Sequence, residues 1–201
     1  MKAWALAALV LVLAAPGPGV AKEKALRFKG ELVTDEALGI TVDADPAKTL
    51  VVVLSPRHRY GLVLPFAEDW EFFQEGQALL RGHSGLVNLT LAAFETDEKP
   101  EAHLQEKRKL LEAPPAGKGI TRMEMVSFKG QQVLRNEVDG GSFSSEFRGV
   151  TIVHYFVAKA AQGVLYELHL SVVVDPKKRA AFDDKAWLQY AVVGFNVGDL
   201  R

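Results

Sequence analysis

The chain has 201 residues, 24 Lys and Arg against 25 Asp and Glu, and no cysteine. Its near-zero net charge of −1, with both signs mixed along the sequence, excludes electrostatic binding of nucleic acid or an anionic membrane surface. The absence of cysteine excludes a disulfide scaffold and a lipid carried on an N-terminal cysteine.

The N-terminus carries Lys2, an apolar run from Ala3 to Ala15, then Pro16 to Val20 and a small residue at Ala21. This pattern reads as an export signal cleaved after Ala21, with Ala15 as a rival cut. Its apolar run is shorter than the roughly 20 residues needed to span a bilayer. The mature chain, residues 22–201, is expected to be periplasmic or secreted, without membrane insertion and not a lipoprotein. Its length suits one domain that buries on the order of 70% of its unfolded surface.

Strand signals dominate the first half: Leu26 to Val33, Gly39 to Val42 and Leu50 to Leu54. Ser55, Pro56, Arg57 and His58 form a turn-like tetrapeptide before Tyr60 to Leu64, predicting a hairpin with a basic tip. An acidic turn leads to Trp70, and Ala78 to Arg81 with Leu86 to Phe94 make a further strand pair about a turn at Gly82 to Gly85. Lys99 to Glu112 reads as an amphipathic helix, with Pro100 in its first turn and Leu104 and Leu111 seven residues apart. Pro114, Pro115, Gly117 and Gly119 end it. Met123 to Phe128 and Gln131 to Val138 flank Lys129-Gly130 as a tight hairpin. Asp139 to Gly149, rich in Gly and Ser around Phe143 and Phe147, is expected to be a mobile loop. Val150 to Ala158 and Val164 to Val174 predict a central hairpin. Asp175-Pro176 then opens a closing helix that runs toward Phe195, with Leu188, Ala191, Val192 and Phe195 on one stripe.

Three stretches carry a resemblance to a known family: Tyr60-Gly61 through Leu64-Pro65 with Trp70 five residues on; the pair VTIVHYFVAKAAQGVLYELHLSV; and the closing AWLQYAVVGFNV. In order and spacing they resemble the PsbP-like α/β/α sandwich. The resemblance implies an α+β fold, an antiparallel sheet with helices packed on it, over residues 57–201, with residues 22–56 as a strand-rich extension. It also implies protein binding without catalysis, and it supplies no shared catalytic set.

The residues that could carry chemistry are few. Gly82-His83-Ser84-Gly85 lacks the second glycine of a nucleophile elbow and links two strands, so it reads as a tight turn. His154, Glu167 and His169 could share a sheet face and hold zinc if the register sets His154 opposite Glu167, but a one-residue slip separates them. The alternative is a polar solvent face opposite Tyr166, Leu168 and Leu170 in the core. Trp70 and Trp187 read as packing residues, and Asp43 with Asp45 and Asp183 with Asp184 as turn and cap residues. Asn88-Leu89-Thr90, a glycosylation sequon, falls inside a strand. Arg57, His58, Arg59 and Tyr60 concentrate two fixed charges, an imidazole and a ring at one tip, suited to a carboxylate or acidic surface.

The expectation is therefore an exported, non-catalytic protein that binds another envelope protein. It uses no cofactor or metal, and its contacts are Arg57, His58, Arg59, Tyr60, Phe143 and Phe147. The alternatives are a carrier of a small molecule or lipid, with a pocket between sheet and helix under the 139–149 loop, and a hydrolase or metalloenzyme.

Overall fold

Alternating apolar and polar residues, many of them β-branched, define most of the chain, and two-residue turns join its longest strands. The computed structural model describes residues 25–113, 117–142 and 145–198; the export signal expected at residues 1–21 lies outside them. The described strands are β1 (Leu26–Arg27), β2 (Val33–Asp35), β3 (Ile40–Ala44), β4 (Leu50–Ser55), β5 (Tyr60–Pro65), β6 (Glu71–Phe73), β7 (Leu80–Ser84), β8 (Val87–Glu95), β9 (Ile120–Phe128), β10 (Gln131–Asp139), β11 (Thr151–Ala161), β12 (Val164–Val174) and β13 (Phe195–Val197). Two α-helices, α1 (Pro100–Glu112) and α2 (Asp184–Val192), accompany them.

The strands form two antiparallel sheets, of eight strands in the order β1-β6-β7-β8-β12-β11-β10-β9 and of five in the order β13-β5-β4-β3-β2. The hairpins β9–β10 and β11–β12 turn on Lys129-Gly130 and Gln162-Gly163, where both central residues have positive φ (51° and 77°, 53° and 76°). These are type I′ turns, whose twist matches that of the strands. One face of the large sheet packs on the small sheet around Trp70, Phe72, Leu91, Tyr155, Leu168 and Leu170, with Val42, Val51, Val53, Leu62 and Leu64 opposite. These side chains are at most 2% exposed, and full burial of each large apolar group is worth about 1.5–3 kcal/mol. The strands of residues 26–55 belong to both sheets: β1 pairs with β6, and β4 with β5.

The expected α+β class is corrected by this arrangement. The fold is β-rich, two packed antiparallel sheets with few helices. The closing helix predicted across residues 176–195 is instead a 3₁₀ segment (Pro176–Ala181), a break at Phe182-Asp183, the nine-residue α2, and a return to strand in β13. Asp175 caps the first piece through Lys177 N, and Asp183 the second through Ala186 N, so two separate caps specify two short elements. Contacts of α2 with β11, β5 and β13 place it at the seam between the sheets. Helix α1 lies on the outer face of the large sheet, where Leu104 meets Leu134, Phe156, Ala158 and Leu165 in a second core. Among the described residues no helix is long and apolar enough to cross a membrane.

Smaller expectations also shift. Leu26 to Val33 is two strands rather than one. The turn between β7 and β8 is Gly85-Leu86, which puts Gly82, His83 and Ser84 in strand β7. Within the segment expected as a loop, the described residues include two 3₁₀ turns, Gly140–Ser142 and Ser145–Phe147.

Candidate functional site

The β4–β5 hairpin turns at residues 56–59, and its backbone is tied down on several sides. Ser55 Oγ donates to Gly39 O at 2.7 Å and accepts from His58 N at 3.3 Å. Tyr166 Oη, from β12 of the other sheet, donates to His58 O at 3.0 Å. Gly198 N donates to Arg59 O at 2.9 Å, and Arg59 closes the turn at a φ of 54°. The carbonyls of the tip therefore face inward, while the Arg57 and Arg59 side chains are exposed. Neither guanidinium makes an ion pair among the described residues.

Between this tip and the adjoining ends of β8 and β12 lies a cleft of about 270 Å³. Arg57, His58 and Arg59 form one wall, and Leu79, Ala93, Val164 and Tyr166 contribute apolar surface, with Phe94 and Glu95 at the strand end. Burial, and then the positive charge of Arg57, lower the His58 pKa below its ordinary 6.5. At neutral pH the wall thus carries two fixed charges and a neutral imidazole. A guanidinium presents a planar fork of donors that matches a carboxylate, so the surface suits an anion with an apolar neighbour.

Tyr60 is a correction to the predicted tip. It is fully buried between the sheets, with its phenol oxygen unpartnered among the described residues, and it offers no ring at the surface. Phe143 lies outside the described residues. Phe147 is half-buried and packs close to Gly140, and it does not line the cleft beside the tip. Phe94, Glu95 and Tyr166 were not anticipated as cleft residues. Their only sequence signal is a position at the start or end of a strand, because the pairing that brings them to the hairpin tip spans more than 30 residues.

The metal-like trio does not assemble. The β11–β12 register sets His154 opposite Ser171 and Ala158 opposite Glu167, a shift from the pairing supposed. His154 Nδ1 and His169 Nε2 do meet, at 2.9 Å, with the His169 ring stacked on Phe156 at 4.2 Å between centroids. Glu167 instead turns under α1, accepting from His103 Nε2 at 2.7 Å and Lys107 Nζ at 2.8 Å. Burial lowers both paired imidazoles, His154 to about 4 and His169 well below its ordinary value. No group of three His, Cys, Asp or Glu side chains among the described residues could hold a metal ion. Two ligands fall short of the three or four that protein zinc sites use.

The Ser84 reading resolves as structural. Ser84 Oγ donates to Asp69, which also accepts from Gly85 N at 3.1 Å. His83 projects from the opposite face of β7, 3.6 Å from Glu71. Between α1 and the sheet, Leu104, Leu134, Phe156 and Leu165 pack closely, each at most 6% exposed.

One buried charged network was invisible in the sequence. Arg135, 5% exposed, donates to Asp184 Oδ1 and Glu137 Oε1 at 2.8 Å each and lies 3.4 Å from Glu124. Arg179 joins Glu137 from the 3₁₀ segment, and Tyr155 donates to Asp184 at 2.5 Å. Cations and anions here satisfy one another, so the network ties α2 and its 3₁₀ neighbour to the sheet and leaves no group free for chemistry.

No protein-family model and no curated protein matches the chain. Among solved structures it is similar to a protein of Bacteroides thetaiotaomicron, with a TM-score of 0.42 and 7% identity over 86% of this chain and 50% of that one. The chain spans half the length of that neighbour, and nothing about function follows from a likeness at this level.

Proposed function

We propose that this chain is an exported, non-catalytic binding protein that docks an acidic surface of another envelope protein through the Arg57–Arg59 tip and the cleft beside it. The observation that carries the reading is the tip itself: a turn held by hydrogen bonds from both sheets that leaves two guanidiniums unpaired beside apolar wall residues. Pre-organisation of this kind lowers the ordering cost of association, and exposed arginines steer an acidic partner. The reading rests on the tip and not on the PsbP-like resemblance.

The test is crosslinked affinity capture of the C-terminally tagged protein from the envelope of its source, compared with the Arg57→Glu/Arg59→Glu variant. One enriched protein that is lost on charge reversal, and whose capture weakens with salt, supports the reading. Capture unchanged by charge reversal removes the tip from it, and no enriched protein replaces it with a small-ligand carrier.

A further inference from the structure

Four strands lie at sheet edges among the described residues. Natural sheets blunt their edges with short strands, and three of the four follow that rule: β1 has two residues, and β2 and β13 three each. Strand β9 has nine. Its exposed backbone groups can be assigned. The type I′ turn makes Phe128 and Gln131 a hydrogen-bonded pair, and such pairs alternate along an antiparallel ladder. Val126, Glu124 and Arg122 therefore direct their N–H and C=O to β10, opposite Val133, Arg135 and Glu137. Ser127, Met125 and Met123 direct theirs outward, and none of these finds a backbone partner beyond β10 among the described residues.

We propose that this edge pairs with the same edge of a second copy, antiparallel, about a two-fold axis through Met123. Side-chain chemistry selects the register. An axis at Arg122 or at Glu124 opposes like charges, which destabilises a cross-strand pair. An axis at Met125 sets Arg122 against Phe128 and Glu124 against Val126. With the axis at Met123, Arg122 of each copy opposes Glu124 of the other. Arg122 and Glu124 already touch at 2.9 Å and, through Arg135, belong to the buried charged network, so the pairing extends that network across the axis. On the other face Met123 meets Met123 beside Met125 and Leu111, all at the margin of the core under α1. An isologous contact requires such self-complementarity on both faces. The β-bulge at Thr121, where Arg122 opposes Glu137 but Ile120 opposes Val138, ends the regular edge. The contact is consequently short and belongs to the small, transient class of interface.

The chain has no cysteine, so single cysteines read the register directly. Hydrogen-bonded antiparallel partners lie about 5.5 Å apart between Cα atoms, within disulfide reach. Met123→Cys is expected to form a disulfide-linked dimer under mild oxidation. Met125→Cys is not, because its two copies stand about 14 Å apart in this register. In sedimentation velocity over about a hundredfold range of concentration, Arg122→Glu should weaken dimerisation at least tenfold, and Arg122→Glu/Glu124→Arg should restore it. Crosslinking through Met125→Cys instead, dimerisation indifferent to Arg122→Glu, or a monomer throughout with no crosslink at Met123→Cys would each overturn the proposal, as would an edge that binds an extended peptide while the protein stays monomeric.

Discussion

Replacement of Glu167 by glutamine tests how α1 is held on the outer face of the large sheet. The Glu167 side chain is 8% exposed and accepts from His103 and Lys107, themselves 13% and 22% exposed. Removing one partner of a buried charged pair costs about 3–5 kcal/mol. Because His103 and Lys107 can turn partly to water, about 2–3 kcal/mol is expected, a fall in Tm of about 5–10 °C for a chain of this size. The pH dependence of the loss is a sharper signature than its size. Burial opposes the charged form of His103, but the hydrogen bond and charge of Glu167 prevail and raise its pKa above the ordinary 6.5. A raised folded-state pKa stabilises below the unfolded value and ceases to do so as pH rises through the folded one. For Glu167, burial is outweighed by His103 and Lys107, and the pKa falls below the ordinary 4.5; its contribution is present above that value and is lost as pH falls through the folded pKa. The penalty of Glu167→Gln should thus be greatest between about pH 4.5 and 6.5 and shrink toward pH 8.5. Urea unfolding of both proteins across this range gives the difference directly, with hydrogen exchange expected to rise first in α1. A penalty below about 1 kcal/mol at pH 6, or one independent of pH, would refute the argument.

Other perturbations probe other parts of the fold. Lys159 Nζ donates to Val192 O at 2.9 Å and to Phe195 O, at the C-terminal end of α2, and Lys159→Met removes both bonds while keeping the stem; thermal melts should show about 2–3 kcal/mol lost. Burial holds the pKa of His154 and His169 below the ordinary 6.5, so the unfolded chain takes up protons first and stability falls as pH drops from about 6.5 toward about 4. Substituting both by asparagine should flatten that acid arm in urea midpoints measured between pH 7 and pH 4. A Cβ added at Gly82 would sit 2.9 Å from Phe72 Cδ1, so Gly82→Ala should destabilise by about 1–3 kcal/mol through core overpacking, read by urea denaturation. Arg57→Glu/Arg59→Glu should leave the melting temperature nearly unchanged, since exposed substitutions stay within about 0.5 kcal/mol.

Much of the secondary structure was legible because it rests on neighbours in sequence. The Lys129-Gly130 turn, α1 with Pro100 at its first turn, and the paired runs of β11 and β12 each carry their signal within a dozen residues. The closing segment was misread because the Asp183 cap starts a new helix inside the predicted span, and because the helical stripe, Leu188 to Phe195, runs past the end of α2 into β13, where tertiary pairing with β5 overrides periodicity. At the site, the basic character of residues 57–59 was evident, but the burial of Tyr60 was not. Alternation from Leu62 and Leu64 would have placed Tyr60 on the inner face of β5, a signal outweighed by its position next to the turn.

By itself the sequence determined local matters: near-neutral charge, absence of cysteine, strand alternation, turn chemistry and a cluster of guanidiniums at one hairpin tip. These follow from single side chains and their near neighbours. Only the tertiary structure decided that two sheets pack face to face, that Glu167 serves α1 and not the two histidines, that the strand ends of β8 and β12 wall the cleft, and that β9 is left as a long open edge. Each of these depends on register and on pairing between residues far apart in the chain, and a shift of one residue would have reversed every face involved.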